Sequence, residues 1–190
     1  MSRMNRLALL ALLKEQIDRE IVVSTYSTAT DWSSLSERPL NYYSVGAMGL
    51  ASSHGLGLAL ARPERKIIVL DGDGSLLMNL SSLVTIGKVA PRNFLHFVFK
   101  NESYEANGGH PIPNKDVDFE GLARSARYAH AETITELTSF AARLPVLMQM
   151  QGPVFVCLEI EQGPLGRRDY SDIYKAARRD ALRQALAAEA

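Results

Sequence analysis

The sequence predicts an α/β protein: three layers, α/β/α, around a mainly parallel central sheet. Three observations carry that prediction. Four short runs, over 21–24, 67–70, 94–99 and 153–160, consist almost wholly of Val, Ile, Leu, Phe and other apolar residues. Stretches with helical spacing or small-residue helix composition separate them. None of the runs alternates apolar with polar residues, as a strand with one wet face does. Both faces are therefore buried, the pattern of parallel strands covered by helices on each side.

Taken in chain order, the first element is a helix. Leu7, Leu10, Leu13 and Ile17 recur at helical spacing behind Arg3 and Arg6. The same stretch could pass for a secretory signal, but Lys14, Glu15 and Asp18 follow at once and no small-residue cleavage pattern appears. The run IVVS at 21–24 is a short buried strand. A small-residue helix over 49–61 ends at Arg62-Pro63, and IIVL at 67–70 is a second strand, closed by the turn Asp71-Gly72-Asp73-Gly74. A helix over 79–89 stops before Pro91, and FLHFVF at 94–99 is a third strand. The stretch 101–115 is a polar loop holding Gly108-Gly109 and two prolines. Asp118 caps a helix over 119–127, Thr135 caps another over 135–150, PVFVCLEI at 153–160 is the fourth strand, and a charged helix over 170–188 closes the chain. Arg167-Arg168 and that helix offer either subunit contacts or a solvated face.

Composition sets further bounds. At 190 residues, the chain is expected to be a single domain over 1–190 with a substantial core. Lys and Arg number 21 against 21 Asp and Glu, so the net charge is zero. That excludes nucleic-acid binding through a broad basic face and gives no sign of membrane-surface attachment. No apolar run approaches the roughly 18 residues of a membrane span, so a cytoplasmic protein is expected. The single cysteine, Cys157, excludes an intrachain disulfide framework and a Cys-based metal cluster.

In parallel sheets ligands gather at the carboxyl ends of the strands, which directs attention to 24–30, 46–49, 71–75 and the loop from Asn101. The sharpest signal is LDGDGSLL. Asp71, Asp73 and Ser75 occupy alternate positions as in a calcium loop, but Leu76 stands where such a loop needs Gly, and Ser82 where it needs a bidentate Glu. A dinucleotide fingerprint fails too, because Met78 replaces its third glycine. A phosphatase of the haloacid-dehalogenase type would use Asp71 as nucleophile and Asp73 as acid/base, but the next strand ends in Lys100-Asn101 where that family needs Ser or Thr, and no later acidic pair follows. A fourth reading uses more of the chain. Asp73 and Asn101 lie 28 positions apart, one helix and one strand, so they should top adjacent parallel strands. Their side-chain oxygens with a backbone carbonyl would make half of an octahedral Mg²⁺ site, completed by diphosphate oxygens and water.

GDGSLLMN followed by KNESYEANGG resembles the thiamine-diphosphate enzymes, specifically their diphosphate-binding (PP) domain. Gly46-Ala47-Met48-Gly49 resembles a second element of that family upstream of GDG, and the stretch 44–80 is most similar to the sulfopyruvate and phosphonopyruvate decarboxylases. The resemblance implies the thiamine-diphosphate-binding fold, with thiamine diphosphate and Mg²⁺ as cofactors. It implies that Asp73, Asn101 and the backbone carbonyl of Ser103 ligate the metal. Gly72, Gly74, Ser75, Ser27 and Thr28 would line the diphosphate, Met48 would wedge between the two cofactor rings with Ala47 beside it, and the Gly46 carbonyl would accept from the 4′-amino group. Tyr104 would pack at the cofactor. His110 stands where related decarboxylases often carry Gln and is a candidate proton relay. His54 is structural, and His96 and His130 form no ligand pattern with the others.

The family also needs a Glu on the cofactor's pyrimidine, supplied by a separate pyrimidine-binding (PYR) domain that precedes the PP domain. Only 45 residues precede Gly46, so Glu15, Glu20 and Glu37 have no such domain to sit on. The resemblance therefore implies one subunit of a split 2-oxo acid decarboxylase, with a PYR (alpha) subunit as partner in an α₂β₂ or larger assembly. The substrate would be a small 2-oxo acid. Two other readings stay open: a carboligase of the acetolactate-synthase type, and a non-catalytic cofactor-binding or regulatory subunit.

Overall fold

The computed structural model describes residues 3–165 and 169–188; Arg167 and Arg168 lie outside the described residues. Helix α1 spans Arg6–Lys14, strand β1 Ile21–Ser24, α2 Tyr26–Leu35, β2 Asn41–Tyr43, α3 Ala51–Ala61 and β3 Ile67–Gly72. Then follow α4 Asp73–Met78, α5 Ser82–Val89, β4 Phe94–Lys100, β5 Ser103–Tyr104, a single 3₁₀ turn Glu105–Asn107 and β6 His110–Pro111. The chain continues through α6 Phe119–Ser125, β7 His130–Ile134, α7 Leu137–Gln149, β8 Val154–Glu159 and α8 Ala176–Ala187.

Six strands form one sheet in the order β2-β1-β3-β4-β8-β7, and every pairing in it is parallel. Successive side chains along a strand point to opposite faces, and the core divides accordingly. Val22, Ile68, Leu70, Phe97 and Val156 meet Leu9, Leu10 and Leu13 of α1, Trp32 of α2 and Phe140 and Leu144 of α7. On the other face Val23, Ile67, Val69, Val98 and Phe155 meet Ala59 of α3, Leu83 and Ile86 of α5, Phe119 of α6 and Leu182 of α8. Helices thus cover both faces, the expected three-layer arrangement.

Several elements differ from the sequence expectation. The edge strands β2 and β7 carry too few apolar residues to be read as strands: Asn41-Tyr42-Tyr43 and His130-Ala131-Glu132-Thr133-Ile134 are only partly buried. Helix α2 is rich in Ser and Thr and is anchored by Ala29 and Trp32, with the Trp32 indole N–H donating to Asn41 Oδ1 at 2.9 Å. The helix expected over 79–89 begins at Ser82, and it is the second of two, preceded by a short helix absent from that expectation. The first starts inside the GDG turn at Asp73, and Asn79 breaks the run by leaving helical geometry and donating its side-chain amide to the Gly49 carbonyl at 3.1 Å. The polar loop 101–115 contains the hairpin β5–β6.

Helix boundaries shift for local reasons. In α1 it is Leu9 that joins Leu10 and Leu13 inside, while Leu7 is 45% exposed and Ile17 lies beyond the helix end. Glu136, not Thr135, precedes α7, because β7 runs on through Ile134. The closing helix begins at Ala176; the turn before it tucks Ile173 into the core. The Asp118 cap is present, its carboxylate accepting from the Gly121 N–H at 2.8 Å. No helix among the described residues is long and apolar enough to cross a membrane.

Candidate functional site

From β1 the chain steps out to β2 and then returns to the other side of β1 as β3, so strand order reverses between β1 and β3. A crevice opens at the carboxyl ends of strands at such a point. Here it is lined by residues from the ends of β1, β3 and β4 and by the loop before α3, among them Ser27, Thr28, Met48, Gly72, Asp73, Gly74, Ser75, Asn101, Ser103 and Tyr104.

Asp73 sits at the centre of the hydrogen bonding. It is 2% exposed. Oδ1 accepts from the Gly74 N–H at 2.8 Å and Oδ2 from the Glu102 N–H at 2.6 Å. Glu102 reaches it through a positive φ of 62°, an unusual conformation for a residue with a side chain. Burial pushes the Asp73 carboxyl up to about 6, against the N–H donors of Gly74, Glu102 and Asn101, which favour the charged form. Asn101, nearly as buried, turns its Oδ1 toward the Ser103 N–H at 3.0 Å, and Gln162 donates to Ser103 Oγ at 3.1 Å. The oxygens of Asp73, Asn101 and the following main chain thus share one cleft. Hard oxygen donors of this kind suit Mg²⁺. Among the described residues no group of three or more His, Cys, Asp and Glu converges to hold a metal, here or elsewhere, so any cation in this cleft would draw on amide and main-chain oxygens beside the one carboxylate.

The other walls are equally fixed. Ser27 and Thr28 form the first turn of α2, whose leading N–H groups have no partners within the helix. Ser27 Oγ is buried without a hydrogen-bond partner, so a donor waits at the cleft wall for an acceptor. The Gly74 Cα faces the Tyr104 ring so closely that a methyl group there would stand 2.6 Å from Cδ1. The loop carrying Met48 is tied at three points: Thr25 Oγ1 donates to the Ser44 carbonyl at 2.8 Å, the Gly49 N–H to Ser75 Oγ at 3.2 Å, and Asn79 to the Gly49 carbonyl. Met48 is half-buried against the cleft.

Three expected residues stand apart. Gly46 and Ala47 are exposed at the tip of that loop, outside the lining. His110 is exposed on β6, opposite Tyr104 in the hairpin, and also does not line the cleft. His54 bonds to Ser44 Oγ at 2.9 Å and stands edge-on to Tyr42, a structural setting. Asp71 is fully buried, with Oδ1 accepting from the Gly72 N–H at 2.9 Å and Oδ2 only 3.4 Å from His96. A carboxylate so enclosed cannot act as the nucleophile of a phosphatase.

The structure adds Arg6, Thr25, Tyr26, Phe99, Glu105 and Ala106 to the lining. Thr25 and Tyr26 were accessible to sequence reasoning only as neighbours of Ser27. Tyr26 opens α2 at φ 44°, a strained value of the kind that concentrates at functional sites, and no residue pattern announces it.

Known proteins resemble this chain in sequence and in fold. Residues 24–158 match the family model described as "Thiamine pyrophosphate enzyme, C-terminal TPP binding domain". Phosphonopyruvate decarboxylase of Streptomyces viridochromogenes is 36% identical over 166 residues, 86% of this chain and 42% of that one. Sulfopyruvate decarboxylase subunit beta of Methanocaldococcus jannaschii is 42% identical over 109 residues, 56% of this chain and 57% of that one. The chain therefore spans about two fifths of the first relative and under three fifths of the second. Benzoylformate decarboxylase from Polynucleobacter necessarius shares the fold, with a TM-score of 0.73 at 20% identity over 88% of this chain and 36% of that one.

Proposed function

The chain belongs to the thiamine pyrophosphate enzymes, as one of their C-terminal TPP-binding domains, and from that premise we propose that it is the diphosphate-binding subunit of a Mg²⁺-dependent 2-oxo acid decarboxylase. The observation that carries the proposal is the meeting of Asp73, Asn101 and the unpartnered Ser27 hydroxyl in one cleft at the sheet's switch point. Such a cleft offers oxygen ligands for a hard cation on one wall and donors for an anion on the other.

When bound, thiamine diphosphate supplies the carbon nucleophile and the electron sink for loss of carbon dioxide from a 2-oxo acid. This chain's residues bind and orient. Asp73, Asn101 and the Ser103 carbonyl would hold Mg²⁺. Ser27, Thr28, Ser75 and the Gly72–Gly74 backbone would hold the diphosphate. Met48 would pack against the cofactor's rings; Gly46 and Ala47, exposed at the tip of its loop, would offer a carbonyl to the aminopyrimidine and flank the rings; and Tyr104 would shield the diphosphate end from water. His110, on the exposed hairpin, relays protons at the mouth once a second subunit covers it.

That second subunit is a PYR-type chain supplying the activating Glu, in an α₂β₂ or larger cytoplasmic assembly. A subunit named beta among the relatives supports this division. The names of the relatives also point to a pyruvate with an anionic 3-substituent as substrate, sulfopyruvate or phosphonopyruvate. The test is carbon dioxide release from these oxo acids by the chain alone, by the co-expressed PYR subunit alone and by both together. Turnover is expected only from the pair. Full turnover by the isolated chain sinks the split-enzyme proposal. A condensed hydroxy-keto acid as product, in place of an aldehyde, would identify a carboligase.

A further inference from the structure

The cleft presents two carboxylates, Asp73 and Glu105, and among the described residues a single cationic side chain, Arg6. Asp73 is accounted for as a metal ligand. Glu105 is not, and an acidic group in the wall of an anion site should repel its ligand. Its surroundings resolve the difficulty. The Glu105 side chain is only 3% exposed; Oε1 accepts from the Gly163 N–H at 2.5 Å, and Oε2 stands 2.8 Å from Arg6 Nη2. Arg6 is itself 7% exposed, and its Nε donates to Asp31 Oδ2 at 2.6 Å. A methyl group at Gly163 would stand 3.2 Å from Arg6 Nη2 and closer still to Glu105, so only a glycine roofs this pair without displacing it.

The connections extend to the ligand-facing walls. Asp31 lies one turn along α2 from Ser27 and Thr28, and Glu105 directly follows Tyr104 in the segment leaving the metal loop. One guanidinium therefore joins the donor wall to the metal wall. Arg6 and Gly163 both lie outside residues 24–158, the stretch the family model matches, so family membership assigns neither.

We propose that Arg6 is a positioning residue of the diphosphate site: it neutralises Glu105 and clamps α2 to the segment after Tyr104, so that the cleft accepts an anion. This rests on the thiamine-diphosphate reading of the cleft. Removing Arg6 takes one positive charge out of a buried cluster that holds both Asp31 and Glu105, so the cleft wall becomes more negative by one charge. Removing the Arg6 and Glu105 charges together returns the wall to its wild-type net charge, with Asp31 still present.

The experiment is calorimetric titration of the full chain, with its PYR subunit present, using thiamine diphosphate and Mg²⁺. Wild type, Arg6→Met, Glu105→Gln and the double variant are compared, each with its melting temperature. Arg6→Met is expected to weaken binding about tenfold or more, and the double variant to recover most of the loss. Glu105→Gln alone, which leaves Arg6 paired with Asp31 and takes one negative charge from the wall, is expected to tighten binding several-fold. Wild-type affinity in Arg6→Met, or a loss that Glu105→Gln does not relieve, overturns the proposal. If Arg6→Met does not fold, Glu105→Gln decides alone, and unchanged or weaker binding overturns it. A wild-type complex that binds no thiamine diphosphate removes the cofactor reading itself and this inference with it.

Discussion

The carboxylate of Asp73, at the end of β3, receives the backbone N–H of Glu102, just past the end of β4, at 2.6 Å. This bond closes the seam between two adjacent parallel strands where the metal loop leaves the sheet. It also holds a negative charge in a site almost wholly removed from water.

Replacing that charge tests the metal assignment. Asp73→Asn removes the anionic ligand and keeps an acceptor for only one of the Gly74 and Glu102 N–H groups, which bond to different oxygens in the native chain. Mg²⁺-dependent thiamine diphosphate binding should fall at least about a hundredfold, while the melting temperature falls only modestly, because relief of the carboxylate's desolvation offsets part of the lost N–H bond. Calorimetry beside thermal unfolding separates the two effects, and unaltered Mg²⁺-dependent binding would make the assignment wrong.

The same carboxyl makes Mg²⁺ affinity depend on pH. With no cation bound its pKa is about 6, and a proton competes with the metal for the same oxygens. Affinity should therefore plateau above about pH 7 and drop about tenfold for each unit of pH below 6. Titrations with Mg²⁺ between pH 5 and 8 check this; a flat profile would show that a different group controls binding.

Gly74 and Tyr104 form a second testable pair. A Cβ at position 74 would intrude on the ring, at 2.6 and 2.7 Å from Cδ1 and Cε1. Gly74→Ala should cost about 1–3 kcal/mol of stability by overpacking. In a Tyr104→Ala background the same change should cost close to nothing. Denaturant unfolding of the four members of this cycle measures the coupling.

Cys157 should be inert in the native chain. It is 2% exposed on β8, and burial pushes its thiol up to about 12, so almost no thiolate exists at neutral pH. A disulfide reagent at pH 8 should label no thiol in the folded protein and one in denaturant. Rapid labelling without denaturant would mean that β8 opens locally.

The four apolar strands were legible because a parallel strand buried on both faces leaves an unbroken apolar run, and Ile67–Gly72 and Phe94–Lys100 are of that kind. The edge strands and α2 were not, since Asn41-Tyr42-Tyr43 and a Ser/Thr-rich helix gain their shape from contacts such as Trp32 with Asn41. In the cleft, Asp73, Asn101 and Met48 could be found by motif and spacing. Arg6 could not: on α1 it reads as one charge before an apolar helix, and its partners Asp31 and Glu105 lie far along the chain.

The sequence alone determined the layer architecture, the family and the two side chains suited to a metal, because apolar runs, glycine turns and their separations are local properties of the chain. The tertiary structure decided which charges face one another. It enclosed Asp71 beside His96, held Asp73 at a raised pKa, left Ser27 without a partner and set Arg6 against Glu105. Those outcomes follow from burial and from distances between segments remote in sequence, on which desolvation and Coulomb energies depend.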